Sequence, residues 1–315
     1  MGETSNKIKV IFIGTPEFGA PTLEALINDK RFEIAAVITQ PDMPVGREKI
    51  LTAPPIKILG QKYNLPVLQP QKIQDIANEI KKLEPDIIAV IAYAQIIPEE
   101  ILNLPKFGCL NLHGSLLPKY RGAAVIQAAI LNNDKQTGLT VIKMDKDIDT
   151  GPILAQVALP ITANDNYGSL YDKLAELAPS FFINTLIKYL SNEITPRAQQ
   201  ITQGNYVGQL KKSDGLINWS KSAEEIARFI RAMTPWPSAW TWWNGKQLKI
   251  TAAQNKTIEI NTYKSGKTFI YNSGLAVQCG QDALIIKKLQ LEGKKELTSE
   301  EFIRGQQNFV GSILG

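Results

Sequence analysis

Apolar residues first gather in a short unbroken run, residues 7–13 (KIKVIFI), which stops at Gly14. A β-branched run bounded by glycine reads as a buried strand. The period then changes: Phe18, Leu23, Leu26 and Ile27 fall at helical spacing within residues 16–28. A second strand is expected at 32–39 (FEIAAVIT), with further buried strands at 86–92 (DIIAVIA) and 109–113 (CLNLH). Helices are expected at 56–63, 73–83 and 123–131. The stretch 40–54 is rich in Pro, Gly and charge and reads as a long loop. Strands alternating with helices predict an α/β fold, a mostly parallel sheet with helices on both faces.

Beyond residue 137 the rhythm shifts. Residues 138–144 (GLTVIKM) and 152–159 (PILAQVAL) read as adjacent strands around an acidic turn. A long amphipathic helix follows at 169–190, carrying Leu170, Leu174, Leu177, Phe181, Leu186 and Ile187. After it comes a polar segment with Pro196 and Gly204. A short helix at 223–233 opens the last part. Strand-like runs at 248–251, 257–260, 268–270, 275–278 and 284–291 predict a small β barrel. The expected division is a first domain over 1–190, a linker over 191–208 and a barrel domain over 209–315.

Charge separates the two parts. Residues 1–200 carry 20 basic and 21 acidic side chains, a balance of −1, whereas 201–315 carry 15 basic and 9 acidic ones, a balance of +6, so the chain's positive charge resides in the second part. All five tryptophans lie there too. A basic domain joined to a neutral one adds affinity for a polyanion, unless its lysines are simply a solvated surface. The tryptophans at 236–243 fit a base-stacking surface, but the neighbouring Pro235 and Pro237 favour barrel core and packing. Two distant cysteines, Cys109 and Cys279, exclude a disulfide framework, and a single histidine, His113, argues against a metal centre. No window reaches the roughly 20 apolar residues of a membrane helix. The opening MGETSNKIKV lacks the apolar core of a secretory leader. A cytoplasmic monomer without membrane association is expected.

Residues 14–19 (GTPEFG) follow the first strand as a phosphate-binding loop would. Ala20-Pro21 stands where Lys-Ser/Thr is required, and no G-x-G-x-x-G is present. A tight strand-to-helix turn explains this stretch. More informative is Asn111-Leu112-His113-Gly114-Ser115, where the fourth strand leaves the sheet. Alternation puts Asn111 and His113 on one face, at the carboxyl end where α/β sheets place ligands. Asp149, in a DIDTG turn, is a carboxylate able to fold back towards them. Together an imidazole, a carboxamide and a carboxylate suit acyl transfer to an amine: the carboxylate orients the ring, the ring handles the proton, and the amide steadies an oxyanion.

Residues 108–122 (GCLNLHGSLLPKYRG) with 147–151 (DIDTG) resemble the signature of the folate-dependent formyltransferases. The likeness extends to 13–18 (IGTPEF), 39–47 (TQPDMPVGR), 167–176 (YGSLYDKLAE) and 230–240 (IRAMTPWPSAW), in order along nearly the whole chain. This resemblance implies a Rossmann-like formyltransferase domain followed by an OB-like β-barrel domain. It implies transfer of formyl from 10-formyltetrahydrofolate, as co-substrate and without a metal, to the α-amino group of methionine on initiator tRNA. It places Asn111, His113 and Asp149 as the catalytic trio. Ser115, Leu116, Leu117 and Pro118 would line a folate pocket with Ile91, Ala92 and Tyr93. The 40–54 loop, through Arg47 and Lys49, would meet the acceptor stem, and Lys211 and Lys212 would extend that basic track towards a tRNA-binding C-terminal domain. Two other readings remain open: the same chemistry on an amino-sugar nucleotide or glycinamide ribonucleotide, and a non-catalytic RNA-binding protein.

Overall fold

The computed structural model describes residues 7–46, 48–254 and 257–315. These fall into two compact units. One gathers the described residues up to Gly122 with Thr137–Leu159 and Tyr171–Tyr206; the other gathers Ala123–Gln136, Pro160–Leu170 and Val207–Gly315. Two short segments from the first 190 residues therefore belong with the C-terminal part.

The first unit opens with β1 (Ile8–Gly14), a 3₁₀ turn at Glu17–Gly19, α1 (Ala20–Asn28) and β2 (Phe32–Ile38). β3 (Met43–Val45), β4 (Ile50–Thr52), α2 (Pro55–Lys62) and β5 (Val67–Leu68) follow, then a 3₁₀ turn, α3 (Ala77–Lys82), β6 (Ile87–Ile91), α4 (Glu99–Leu102), β7 (Cys109–His113) and β8 (Arg121–Gly122). Beyond α5 (Val125–Leu131) come β9 (Gln136–Lys143), β10 (Ile153–Pro160), α6 (Tyr167–Leu190) and β11 (Tyr206–Val207). The central sheet has the order β10-β9-β7-β6-β1-β2-β5. β5, β2, β1, β6 and β7 run parallel, and β9 joins β7 antiparallel. β1 reads as apolar throughout because it is central, with Val10, Ile11, Phe12 and Ile13 wholly buried; each such side chain contributes about 1.5–3 kcal/mol of burial free energy. Gly14 is dictated by contact: a Cβ there would sit 2.7 Å from the carbonyl oxygen of Ile91. The first strand thus turns tightly into its helix, with Pro21 near the start of α1.

The expected long loop at 40–54 differs from what forms. β3 and β4 pair as an antiparallel hairpin, Met43 opposite Thr52 and Val45 opposite Ile50. Its side chains Met43, Val45, Ile50 and Leu51 are all exposed, so no buried face produces the periodicity that announces strands. Lys57 clamps the hairpin base on Asp42 at 2.8 Å. Hydrogen bonds from Gln69 and Lys57 hold the Asp42 carboxyl below its ordinary range.

In the second unit α7 (Ala223–Met233) precedes β12 (Ala239–Trp243), β13 (Lys246–Ala253), β14 (Thr268–Tyr271), β15 (Gly274–Gln278), β16 (Ala283–Leu291), β17 (Leu297–Thr298) and α8 (Ser299–Gly305). The strands form one sheet in the order β12-β13-β16-β15-β14, with β17 on β16. Every pairing is antiparallel, as the small β domain requires. The strand expected at 257–260 does not form; Ile258 alone bridges Ala283. The tryptophan stretch becomes β12 and divides by alternation. Trp243 is buried against Phe302 and Phe309, while Trp242 is 43% exposed and Trp236 45%. The core expectation therefore holds for Trp243 and fails for those two. Ser222 caps α7: its hydroxyl accepts from the Glu225 amide at 3.3 Å, and the Glu225 carboxylate accepts from the Ser222 amide at 3.0 Å.

Candidate active site

β7 delivers the polar cluster. Leu112 is buried on one side of the strand, and Asn111 and His113 share the other. The register sets Val90 of β6 beside Asn111, so residues 91–93 leave the sheet next to it. The turn after β9 returns Asp149 to this point. That turn is tight: a Cβ on Gly151 would stand 1.9 Å from the Lys143 carbonyl oxygen, and Asp149 takes a left-handed φ of 54°, which Asp tolerates better than most residues.

The three groups converge. Asn111 Nδ2 donates to Asp149 Oδ1 at 3.1 Å. Asp149 Oδ2 accepts from the Gly122 amide at 2.9 Å and lies 3.5 Å from His113 Nδ1. His113 Nε2 meets the Tyr120 carbonyl oxygen at 2.8 Å. The imidazole is 7% exposed and the Asp149 carboxylate 13%, so both work in a largely dry setting. Both ring nitrogens face acceptors. A neutral ring can donate to one of them, whereas a ring with two protons donates to both. The arrangement therefore fixes the ring between a backbone carbonyl and a carboxylate that is itself held by two further donors.

The residues expected around a folate divide. Ile91, Ala92 and Tyr93 lie at the end of β6 beside Asn111, with Ala92 and Ala94 both left-handed. Tyr93 is buried, its hydroxyl has no hydrogen-bond partner among the described residues, and burial pushes that phenol up to about 12. Its carbonyl accepts from Gln40 Nε2 at 3.1 Å, and Gln95 donates to Gln40 Oε1 at 3.2 Å. Ser115 and Leu117 turn inward. The Ser115 hydroxyl is bonded to the carbonyls of Lys119 and Tyr120 at 2.7 and 3.0 Å, and Leu117 packs with Ile142 and Ile153. Leu116 and Pro118 are half-buried. A buried hydroxyl with no partner among the described residues, on a ring packed among apolar side chains, fits a flat heterocycle with polar edges.

Of the expected basic contacts, Arg47 lies outside the described residues. Lys49 is exposed at the hairpin turn, and Lys211 and Lys212 are exposed in the second unit. Sequence reasoning missed Tyr120 and Gly122, which act through backbone atoms, and Gln199, whose amide reaches the Asp149 turn. No periodicity marks a backbone carbonyl as functional. Among the described residues no cluster of three or more His, Cys, Asp or Glu side chains is placed to hold a metal ion, and no helix is long and apolar enough to cross a membrane.

Residues 6–186 match the model of the formyl transferase family, and residues 209–307 match that of the formyl transferase C-terminal domain. A protein of Halalkalibacterium halodurans named methionyl-tRNA formyltransferase is 41% identical over 314 residues, covering 98% of both chains. One of the same name from Pseudoalteromonas translucida is 42% identical, again over 98% of each. Among solved structures, the sugar 3N-formyl transferase WlaRD superposes with a TM-score of 0.65 at 22% identity, over 92% of this chain and all of that one. HypX from Aquifex aeolicus, solved with tetrahydrofolic acid, gives 0.64 at 16% identity, over 96% of this chain and 48% of its own. These two likenesses speak for the fold. With both domain models met in sequence order and relatives aligned end to end, the chain belongs to the formyl transferase family.

Proposed function

We propose that this protein transfers the formyl group of 10-formyltetrahydrofolate to the α-amino group of methionine carried by initiator tRNA, working as a cytoplasmic monomer. The observation that carries the reading is the convergence of Asn111, His113 and Asp149 at the end of β7, in a chain about 40% identical over its length to proteins named for that reaction. Folate supplies an acyl group already bound to nitrogen. Residues 91–93, Leu116 and Pro118 border its ring.

The acceptor amine attacks only as the neutral base, so a proton has to leave it. The His113–Asp149 pair takes that proton, the charge-assisted contact between the two stabilises the protonated ring, and the ring returns the proton to the folate nitrogen as the donor's carbon–nitrogen bond breaks and tetrahydrofolate leaves. One Asn111 amide hydrogen is spent on Asp149. The other is free to donate to the formyl oxygen as negative charge grows there, a contribution worth about 3–4 kcal/mol where such donors have been removed. Asp149 thus serves twice, orienting the carboxamide with one oxygen and the imidazole with the other. Lys49, Lys211 and Lys212 contact tRNA phosphates, and Arg47 is assigned the same task.

The test is incubation with 10-formyltetrahydrofolate and methionyl initiator tRNA, scoring formyl-methionine, beside a nucleotide-linked amino sugar as rival acceptor. Formylation of the tRNA alone is expected. Formylation of the sugar alone would refute the assigned acceptor.

A further inference from the structure

The segment after α6 reads in sequence as a spacer, yet residues 197–205 lie against the site. Arg197 and Ile153 exchange two backbone hydrogen bonds of 2.7 and 2.8 Å, which fixes where the segment starts. Gln199 Nε2 then donates to the carbonyls of Asp149 at 2.9 Å and Gly151 at 2.7 Å. Those carbonyls bracket Thr150, so one amide spans the turn that presents the Asp149 carboxylate. Both amide hydrogens are used, and Gln199 Oε1 is buried with no partner among the described residues. Flipping the amide would set oxygen against two carbonyl oxygens, so its orientation is determined.

The far end of the same segment reaches the other side of the imidazole. Asn205 Oδ1 accepts from the Tyr120 amide at 3.2 Å, and the Asn205 carbonyl accepts from Arg121 at 2.9 Å. Gly204 passes so near Pro118 that a Cβ would stand 1.9 Å from its carbonyl oxygen. Tyr120 is the residue whose carbonyl meets His113 Nε2. One nine-residue strap therefore holds the turn carrying the carboxylate and the backbone acceptor behind the ring.

We propose that Gln199 and Asn205 are positioning residues for formyl transfer, fixing Asp149 and Tyr120 against opposite nitrogens of His113. The proposal rests on the catalytic reading of His113 and Asp149 given above. A misplacement of about 1 Å at such a pair costs on the order of 100-fold in rate. Loss of the strap should lower kcat rather than substrate binding.

The experiment is steady-state formylation of methionyl-tRNA. Gln199→Leu keeps the volume and removes both donors; kcat should fall about 10- to 100-fold with KM for folate and tRNA unchanged. Gln199→Glu, which sets a carboxylate against two carbonyls, should fall further, while Gln200→Leu at the exposed neighbour keeps the full rate. In an Asp149→Asn background Gln199→Leu should cost nothing more, because the two act as one unit. Asn205→Ala should lower kcat, and Asn205→Asp, which retains the acceptor, should restore it; this pair carries the test if Gln199→Leu fails to fold. Full kcat in Gln199→Leu, losses that multiply with Asp149→Asn, or a loss matching the unfolded fraction by circular dichroism would overturn the proposal. A fully active His113→Ala protein would defeat the catalytic reading instead, whereas an inactive His113→Ala beside a fully active Gln199→Leu defeats the strap alone.

Discussion

Asn111 and Asp149, 38 residues apart in sequence, are joined by a 3.1 Å hydrogen bond from amide to carboxylate. The bond settles which end of the carboxamide is nitrogen, and so which end can donate to substrate. Asn111→Asp replaces that donor with a second carboxylate. Two adjacent carboxylates resist joint ionisation, so one of them binds a proton that the native pair does not. The expected result is a kcat lower by about 100- to 1000-fold, partly recovered as pH is lowered, in a protein with unchanged circular dichroism. Activity within a few-fold of the parent would show that the amide is not a donor in the reaction.

The exposed lysines at 211 and 212 should act through phosphate charge. Replacing both with Gln is expected to raise KM for tRNA and leave kcat and KM for folate alone. The slope of log affinity against log salt should become shallower by about one per lost contact. An unchanged slope would remove them from the RNA surface.

Tyr93 carries a buried hydroxyl with no partner among the described residues, so Tyr93→Phe should not destabilise the free protein and should raise KM for folate if the ring edge meets that hydroxyl. Burial also raises Tyr93, and raises the Cys109 and Cys279 thiols, each to about 12. Groups raised in the folded state favour folding fully below their unfolded values and lose that contribution as pH climbs towards the folded ones. Urea midpoints should therefore fall progressively from about pH 9 upward, and both thiols should resist a disulfide reagent until the chain unfolds. A native protein that reacts rapidly at pH 8 would contradict the burial of Cys109 and Cys279.

Ser222 satisfies the first turn of α7, and Ser222→Ala should cost about 1 kcal/mol in urea unfolding. Hydrogen bonds from the Ser222 amide and hydroxyl depress the Glu225 carboxyl. A depressed acid contributes above its unfolded value and loses that contribution as pH falls through the folded one. The difference between parent and variant should thus shrink below about pH 4. A gap constant from pH 7 to pH 3 would exclude the reciprocal cap.

Much of this was readable because burial leaves a period. β1, β6 and β7 announced themselves as apolar runs, and the strand-end placement of Asn111 and His113 followed from alternation. The β3–β4 hairpin did not, because its apolar side chains face solvent and no buried face imposes order on its sequence. Ile258 lies in an alternating, strand-like run but makes a single bridge, a matter of tertiary pairing that local pattern does not encode. Trp236 and Trp242 carry core-type side chains at exposed positions, for the same reason. Most of the site's supports escaped because they are backbone atoms of Tyr120, Gly122 and Gly151, or a glutamine in a polar stretch.

Segments 123–136 and 160–170 reside with the C-terminal unit, and α5, with five buried apolar positions flanking Gln127, lies beside α7 within it. No single cut in the polypeptide parts the two bodies. Trimming the chain at residue 206 would orphan α5 and uncover an oily surface on whatever remained, inviting aggregation. Each unit is assembled from three separate stretches of sequence, so genetic exchange of one without the other would have to carry all three.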